Sequence, residues 1–173
     1  MVAKVYVPVL FPLTFLIAWL AVGLDRWLGW DGGFLGSPVR WIAAATSLAV
    51  GLTVVGLAYA DLVEQGSGSP SPVAGRTRRL VVSGLYAHCR NPSVWGKLAG
   101  VLSVGFALDS PSFCFLLMPV ALGISLVEKV VRQEPKLVAV FGKDYEAYRS
   151  HVPLFIPRLT PWRRATAEPE ATP

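Results

Sequence analysis

Arg90, Asn91, Glu128, Arg132 and Glu134 are the residues of this chain whose types could do chemistry together. A guanidinium presents paired donors to a carboxylate or phosphate, and a carboxylate accepts from an ammonium or a hydroxyl. Aromatic side chains beside them, Tyr86 and Trp95 in one stretch and Phe141, Tyr145 and Tyr148 in the other, could cover a planar group. Such a pocket suits a charged small molecule together with an amphipathic or lipidic co-substrate. A plainer account competes with it. In that account Arg90 binds phosphate headgroups, Glu128 pairs with Arg132 at i,i+4, and Pro92 and Pro135 shape helix ends. His88 would be a base for an amine or thiol acceptor, and otherwise a structural histidine at an interface. His151 has a weaker claim, and Cys89 has no activating base fixed beside it in the sequence.

The two polar stretches, 84–97 and 128–149, flank an apolar region, and the whole chain is biased the same way. Hydrophobic residues make up 53% and charged ones 16%, against about 25% in ordinary soluble domains. Mean hydropathy is +0.51. Residues 5–24 and 41–60 contain no Asp, Glu, Lys, Arg or His. A helix of about 20 such residues rises about 30 Å, the thickness of a bilayer core. The first run is too long for the h-region of a signal peptide and leads into Leu24-Asp25-Arg26-Trp27 rather than a small-residue cleavage site, so it reads as a span.

Residues 98–127 are interrupted only by Asp109-Ser110-Pro111, which marks a turn. The expectation is a helical hairpin with arms 93–108 and 112–128. Pro135 would then open a new helix, in which Leu137, Val140, Phe141, Tyr145 and Tyr148 recur on one face of a single amphipathic segment. The fold class expected is therefore an all-α integral membrane protein. It has four membrane-embedded helices, including the hairpin, and a cytosolic amphipathic helix. Two spans fill residues 1–60, a flexible loop 61–79, the chemistry-bearing part 80–157, and a flexible tail 158–173. Lys and Arg concentrate in 61–97 and after residue 128, whereas only Arg26 and Arg40 lie between the first two spans. That bias puts both termini and the long loop in the cytoplasm.

The +5 formal charge flanks spans rather than forming a soluble module, so the bilayer is the expected partner and nucleic acid is not. A transporter is disfavoured by charge-free spans and the lack of an inverted repeat. Two cysteines make no disulfide framework. Trp27, Trp30, Phe34 and Trp41 read as interfacial anchors, and 66–72, all Gly, Ser and Pro, reads as a mobile loop. Gly96 and Gly100, four apart, read as a helix-packing surface, with backbone approach to a ligand at Gly96 as the alternative.

Two blocks carry a resemblance. Gly84-Leu85-Tyr86-Ala87-His88-Cys89-Arg90-Asn91-Pro92-Ser93-Val94-Trp95-Gly96 resembles the signature G-x-Y-x-x-x-R-(H/N)-P-x-Y-x-G. The stretch 133–148 resembles E-E-x-x-L-x-x-x-F-G-x-x-Y-x-x-Y, and 152–157 resembles the usual ending. These are marks of the isoprenylcysteine carboxyl methyltransferase and related phospholipid methyltransferase superfamily, over about half of the chain.

The resemblance implies a membrane enzyme that binds S-adenosylmethionine on the cytosolic side and methylates a hydrophobic or lipidated acceptor, a carboxylate in the prenylcysteine case. It makes Arg90 and Glu134 the catalytic candidates. Tyr86, His88, Arg90, Asn91, Pro92, Gly96, Glu134, Leu137, Phe141, Tyr145 and Tyr148 become the cofactor-binding candidates, with no metal. Asn91 stands where histidine is commoner, Val94 where tyrosine is usual and Gln133 where the first glutamate is usual. The last two changes motivate the alternative of a noncatalytic membrane interaction protein that retains the scaffold.

Overall fold

In a computed structural model the described residues are 3–30, 32–66 and 79–163, with side chains from residue 16 onward. The glycine- and serine-rich stretch after Gly66, expected to be a mobile loop, and the end of the expected C-terminal tail lie outside them. All regular structure among the described residues is helical. Helix α1 runs Ala3–Leu28, α2 Val39–Gly66 and α3 Pro92–Leu108. A continuous helix α4 covers Ser112–Phe141, and α5 covers Lys143–His151. A short 3-10 turn, Gly84–Ala87, precedes α3.

Two helices, rather than the expected four, are long and apolar enough to cross a membrane among the described residues: α2, with 28 residues, and α4, with 30. Their exposed side chains include Ile42, Leu52, Ile124 and Val127, an outer surface suited to lipid. The chain is an integral membrane protein. Helix α3 has 17 residues and rises only about 26 Å, short of the bilayer core.

The expected hairpin and separate amphipathic helix also give way. Helix α3 packs chiefly against α2 rather than pairing with α4. A Cβ on Gly96 would lie 2.8 Å from the Gly51 carbonyl and 2.7 Å from a Val55 methyl, and one on Gly51 would lie 2.7 Å from the Gly100 nitrogen. Only glycine lets these backbones come so close. The Ser47 hydroxyl adds a 2.7 Å hydrogen bond to the Ala99 carbonyl. Small residues thus commit α3 to α2.

Helix α4 does not stop at Glu128 and restart at Pro135. It widens into π-helical segments at Ser112–Leu117 and Lys129–Gln133, each followed two residues later by a proline, Pro119 and Pro135. A proline has no N–H to donate and its ring presses on the carbonyl four residues back, and a widened turn relieves both problems without breaking the helix. The amphipathic stretch is cut instead at Gly142, whose φ of 53° and ψ of −132° suit glycine alone. Its first half ends α4 and its second half becomes α5.

Two carboxylates fasten the far end of the molecule. Asp109, ending α3, accepts backbone N–H bonds from Phe34, Leu35 and Gly36 at 2.9–3.1 Å. Burial alone would raise its carboxyl, but those three donors, with Arg40 nearby, hold it below its ordinary value. Asp25, buried near the end of α1, accepts from the Ser110 hydroxyl and from the Ser112 N–H at 2.8 Å. It thereby caps the start of α4. Near it Ala21, Phe113 and Met118 form an apolar core with Leu98, Leu102 and Leu117 packed against it.

Candidate functional site

The candidate residues gather where the 3-10 turn, the start of α3, the end of α4 and α5 meet. Tyr145, Tyr148 and Val152 form a buried core there, with Leu80, Val82, Leu137, Val138, Phe141 and Trp162 around it. Leu137 and Phe141 thus pack against this core, and the three-residue spacing of Tyr145 and Tyr148 turns both rings inward from α5.

The segment carrying Tyr86 to Arg90 is held on both sides. The Tyr148 hydroxyl donates to the Tyr86 carbonyl at 2.7 Å. The chain after α5 runs alongside it, with Arg90 N–H to the Pro153 carbonyl, Arg158 N–H to the His88 carbonyl and Trp162 N–H to the Ala87 carbonyl, each at 2.9 Å. His88 Nδ1 lies 2.7 Å from the Arg158 carbonyl, so that nitrogen carries the proton and the imidazole is tied into this seam. Trp95 stacks on Phe155 at 4.4 Å and donates its indole N–H to the Phe155 carbonyl. The C-terminal Val-Pro-Leu-Phe-Ile-Pro run is therefore a brace for the first motif.

Arg90 and Glu134, 44 residues apart, form an ion pair, each side chain 11% exposed. The Tyr145 hydroxyl sits 3.4 Å from an Arg90 Nη atom and 3.5 Å from a Glu134 oxygen. Arg149 of α5 approaches the other Glu134 oxygen at 3.8 Å. The Arg90 Nε is buried with no hydrogen-bond partner. Glu128 does not join this group or pair with Arg132. It accepts from Gln133, five residues on, as the π-helical spacing dictates, and Gln133 also accepts from Lys129 at 2.8 Å. Asn91 takes the N-cap position of α3 and Pro92 its first turn. Gly96 lies against α2, and Val94 is buried within α3.

Burial pushes the Tyr145 phenol above its ordinary value, against a hydrogen bond from Arg90 and with the Glu134 charge reinforcing it. Burial likewise raises Tyr148, helped by neighbouring Cys89, and Tyr86, helped by Asp61. The Cys89 thiol is also raised by burial, against the Asn91 backbone and Arg90. These four groups are protonated at neutral pH and supply no base. Among the described residues no group of three or more His, Cys, Asp and Glu is placed to hold a metal ion.

Two contributors escaped sequence reasoning. Arg149 is absent from both sets of candidates, since a lone arginine on a helix of mixed charge has no distinguishing spacing. Asp61, on the last turns of α2, accepts the Leu85 N–H at 3.0 Å and fixes the 3-10 turn. Nothing in its residue type or spacing signals that contact.

The helical arrangement resembles a solved structure, the eukaryotic intramembrane Ras methyltransferase ICMT (isoprenylcysteine carboxyl methyltransferase). The TM-score is 0.55 and the identity 19%, over 85% of this chain and 52% of that one. Methanethiol S-methyltransferase 2 of Bradyrhizobium diazoefficiens is 29% identical over 147 residues, 85% of this chain and 49% of its own length. Protein-S-isoprenylcysteine O-methyltransferase of Schizosaccharomyces pombe is 31% identical over 101 residues, 57% of this chain and 42% of its own. Homology links this chain to the ICMT and phospholipid methyltransferase superfamily. The nickel-cobalt-cadmium resistance protein NccN of Alcaligenes xylosoxydans xylosoxydans is also similar, 27% identical over 128 residues, 71% of this chain and 55% of its own length. No family model matches the chain. The chain spans about half the length of the curated relatives it matches.

Proposed function

We propose that this protein transfers a methyl group from S-adenosylmethionine to a membrane-soluble acceptor. The observation that carries the reading is the Arg90–Glu134 pair, built from the two resembling motifs and buried beside Tyr145. A cation and an anion side by side are complementary to the zwitterionic amino-acid end of that cofactor. The unpartnered Arg90 Nε supports the fit, since a carboxylate would give it an acceptor. The bound cofactor would supply an electrophilic methyl on a sulfonium.

The chain's own part is orientation and exclusion of water. Arg90 and Arg149 would hold an anionic group, Glu134 would hold an ammonium, and Leu137 and Phe141 would wall the pocket against water. Tyr86 and Tyr148 would brace Arg90 from beneath. With the local phenols and the thiol kept protonated, the acceptor that suits this site arrives already ionised, as a carboxylate does near neutral pH. We place both termini and the site at the cytoplasmic surface of a multi-pass fold, with a lipidated or otherwise hydrophobic acid entering from the bilayer.

Calorimetry on the protein in lipid nanodiscs should show saturable S-adenosylmethionine binding, weakened by Arg90→Ala or Glu134→Ala with the fold retained. Labelled methyl transfer into a membrane extract would identify the acceptor and reject the noncatalytic alternative. Folded protein that binds no cofactor ends the enzyme reading.

A further inference from the structure

The turn that delivers Arg90 is wrapped around a carboxylate from another helix. Asp61 accepts the Leu85 N–H at 3.0 Å and the Gln65 side-chain amide at 3.3 Å, and Gln65 in turn accepts from the Ser83 hydroxyl. The residue so gripped also continues the turn, because its carbonyl accepts from both the His88 and the Cys89 N–H at 3.2 Å. Arg90 follows directly. Gly84 has φ +57°, and a Cβ there would fall 2.3 Å from an Asp61 oxygen. The motif's first glycine is thus shaped to the carboxylate.

We infer that Asp61 is a positioning residue, which through Leu85 sets the path of residues 85–90 and so aims the Arg90 guanidinium at Glu134. Its importance for cofactor binding rests on the function proposed above, whereas its hold on the turn does not. A carboxylate receiving a backbone N–H is a charge-assisted bond, stronger than its neutral counterpart. Removing it frees the turn at its centre while leaving the α2–α3 glycine contact untouched.

The test uses the full chain in lipid nanodiscs and the two free, buried cysteines as local reporters. Cys89 lies within the positioned segment, and Cys114 lies at the far end against Gly105. Alkylation of each is followed by mass spectrometry in wild type, Asp61→Ala, Asp61→Asn and Gly84→Ala. Asp61→Ala should speed Cys89 modification about tenfold, the ratio one lost charged hydrogen bond sets, with Cys114 unchanged. Asp61→Asn keeps one acceptor oxygen for the Leu85 N–H without the charge and should fall between wild type and Asp61→Ala. Gly84→Ala pushes on the same contact from the other side and should match Asp61→Ala, which keeps the test decisive should Asp61→Ala not fold. S-adenosylmethionine affinity should fall about tenfold in the two disruptive variants and by less in Asp61→Asn.

An unchanged Cys89 rate in both disruptive variants overturns the assignment, as does an equal rise at Cys114 or an Asp61→Asn rate no slower than that of Asp61→Ala. A wild-type protein that binds no cofactor overturns the methyltransferase reading instead, and the Cys89 rates still decide the role of Asp61.

Discussion

Replacing either partner of the Arg90–Glu134 pair with methionine should damage the protein unequally, and the surroundings of each charge say which way. Glu134→Met leaves the Arg90 guanidinium, 11% exposed, with the Tyr145 hydroxyl at 3.4 Å as its recorded side-chain neighbour and an Nε that already lacks an acceptor. A guanidinium cannot shed its charge. Stranding one partner of a buried pair costs about 3–5 kcal/mol, and the partial exposure here points to the low end. Arg90→Met leaves Glu134 with Arg149 at 3.8 Å and the Tyr145 hydroxyl at 3.5 Å, and a stranded carboxyl can take a proton. We expect about 1–2 kcal/mol for that change.

For a chain of this size each kcal/mol moves Tm by about 2–4 °C. Glu134→Met should therefore lower Tm by about 6–12 °C in a fixed detergent, and Arg90→Met by clearly less. The double variant should recover much of the loss, because it strands neither charge. If Arg90→Met proves the worse of the two, or the double variant merely sums the singles, the reasoning about the pair is wrong.

Gly96→Leu should separate α2 from α3 and abolish folding, while Gly96→Ala should cost about 1–3 kcal/mol by overpacking against Val55 and Gly51, read as a Tm drop. Asp109→Ala should cost about 1–3 kcal/mol at neutral pH through three lost N–H acceptors. Since the folded carboxyl titrates below its ordinary value of about 3.9, that stabilisation is complete above this pH and vanishes as pH falls through the lowered value. The gap between wild type and variant should therefore close in strong acid. Tyr148→Phe should cost about 1 kcal/mol by leaving the Tyr86 carbonyl unpaired, with the aromatic packing intact.

The nearness of Arg90 to Glu134 was legible from two motifs of recognisable spacing that flank an apolar region, although α3 packs chiefly on α2 and not in the hairpin expected to bring them together. The face-sharing of Leu137, Phe141, Tyr145 and Tyr148 was legible from periodicity, although Gly142 divides it between two helices. The helix count was not. Hydropathy measures whether a segment tolerates lipid, and it cannot tell that Gly51, Gly96 and Gly100 would draw a 17-residue helix onto α2.

Pro135 read as a helix start because proline usually is one, and nothing local shows that a widened turn would absorb it. Asp25, Asp61 and Asp109 were invisible for a different reason. Each accepts backbone N–H groups from 24 to 87 residues away, and main-chain donors leave no mark on residue type.

The widened turn at Lys129–Gln133 also fixes an angle. One extra residue in a helical turn rotates everything beyond it by about 100° relative to an uninterrupted α-helix. Glu134, the first residue beyond the segment, meets Arg90 with that rotation in place, so the direction of the carboxylate is tied to a residue count. Tightening the segment to α-helical turns at its full length would leave every side chain of the pair present and turn the anion away from its cation.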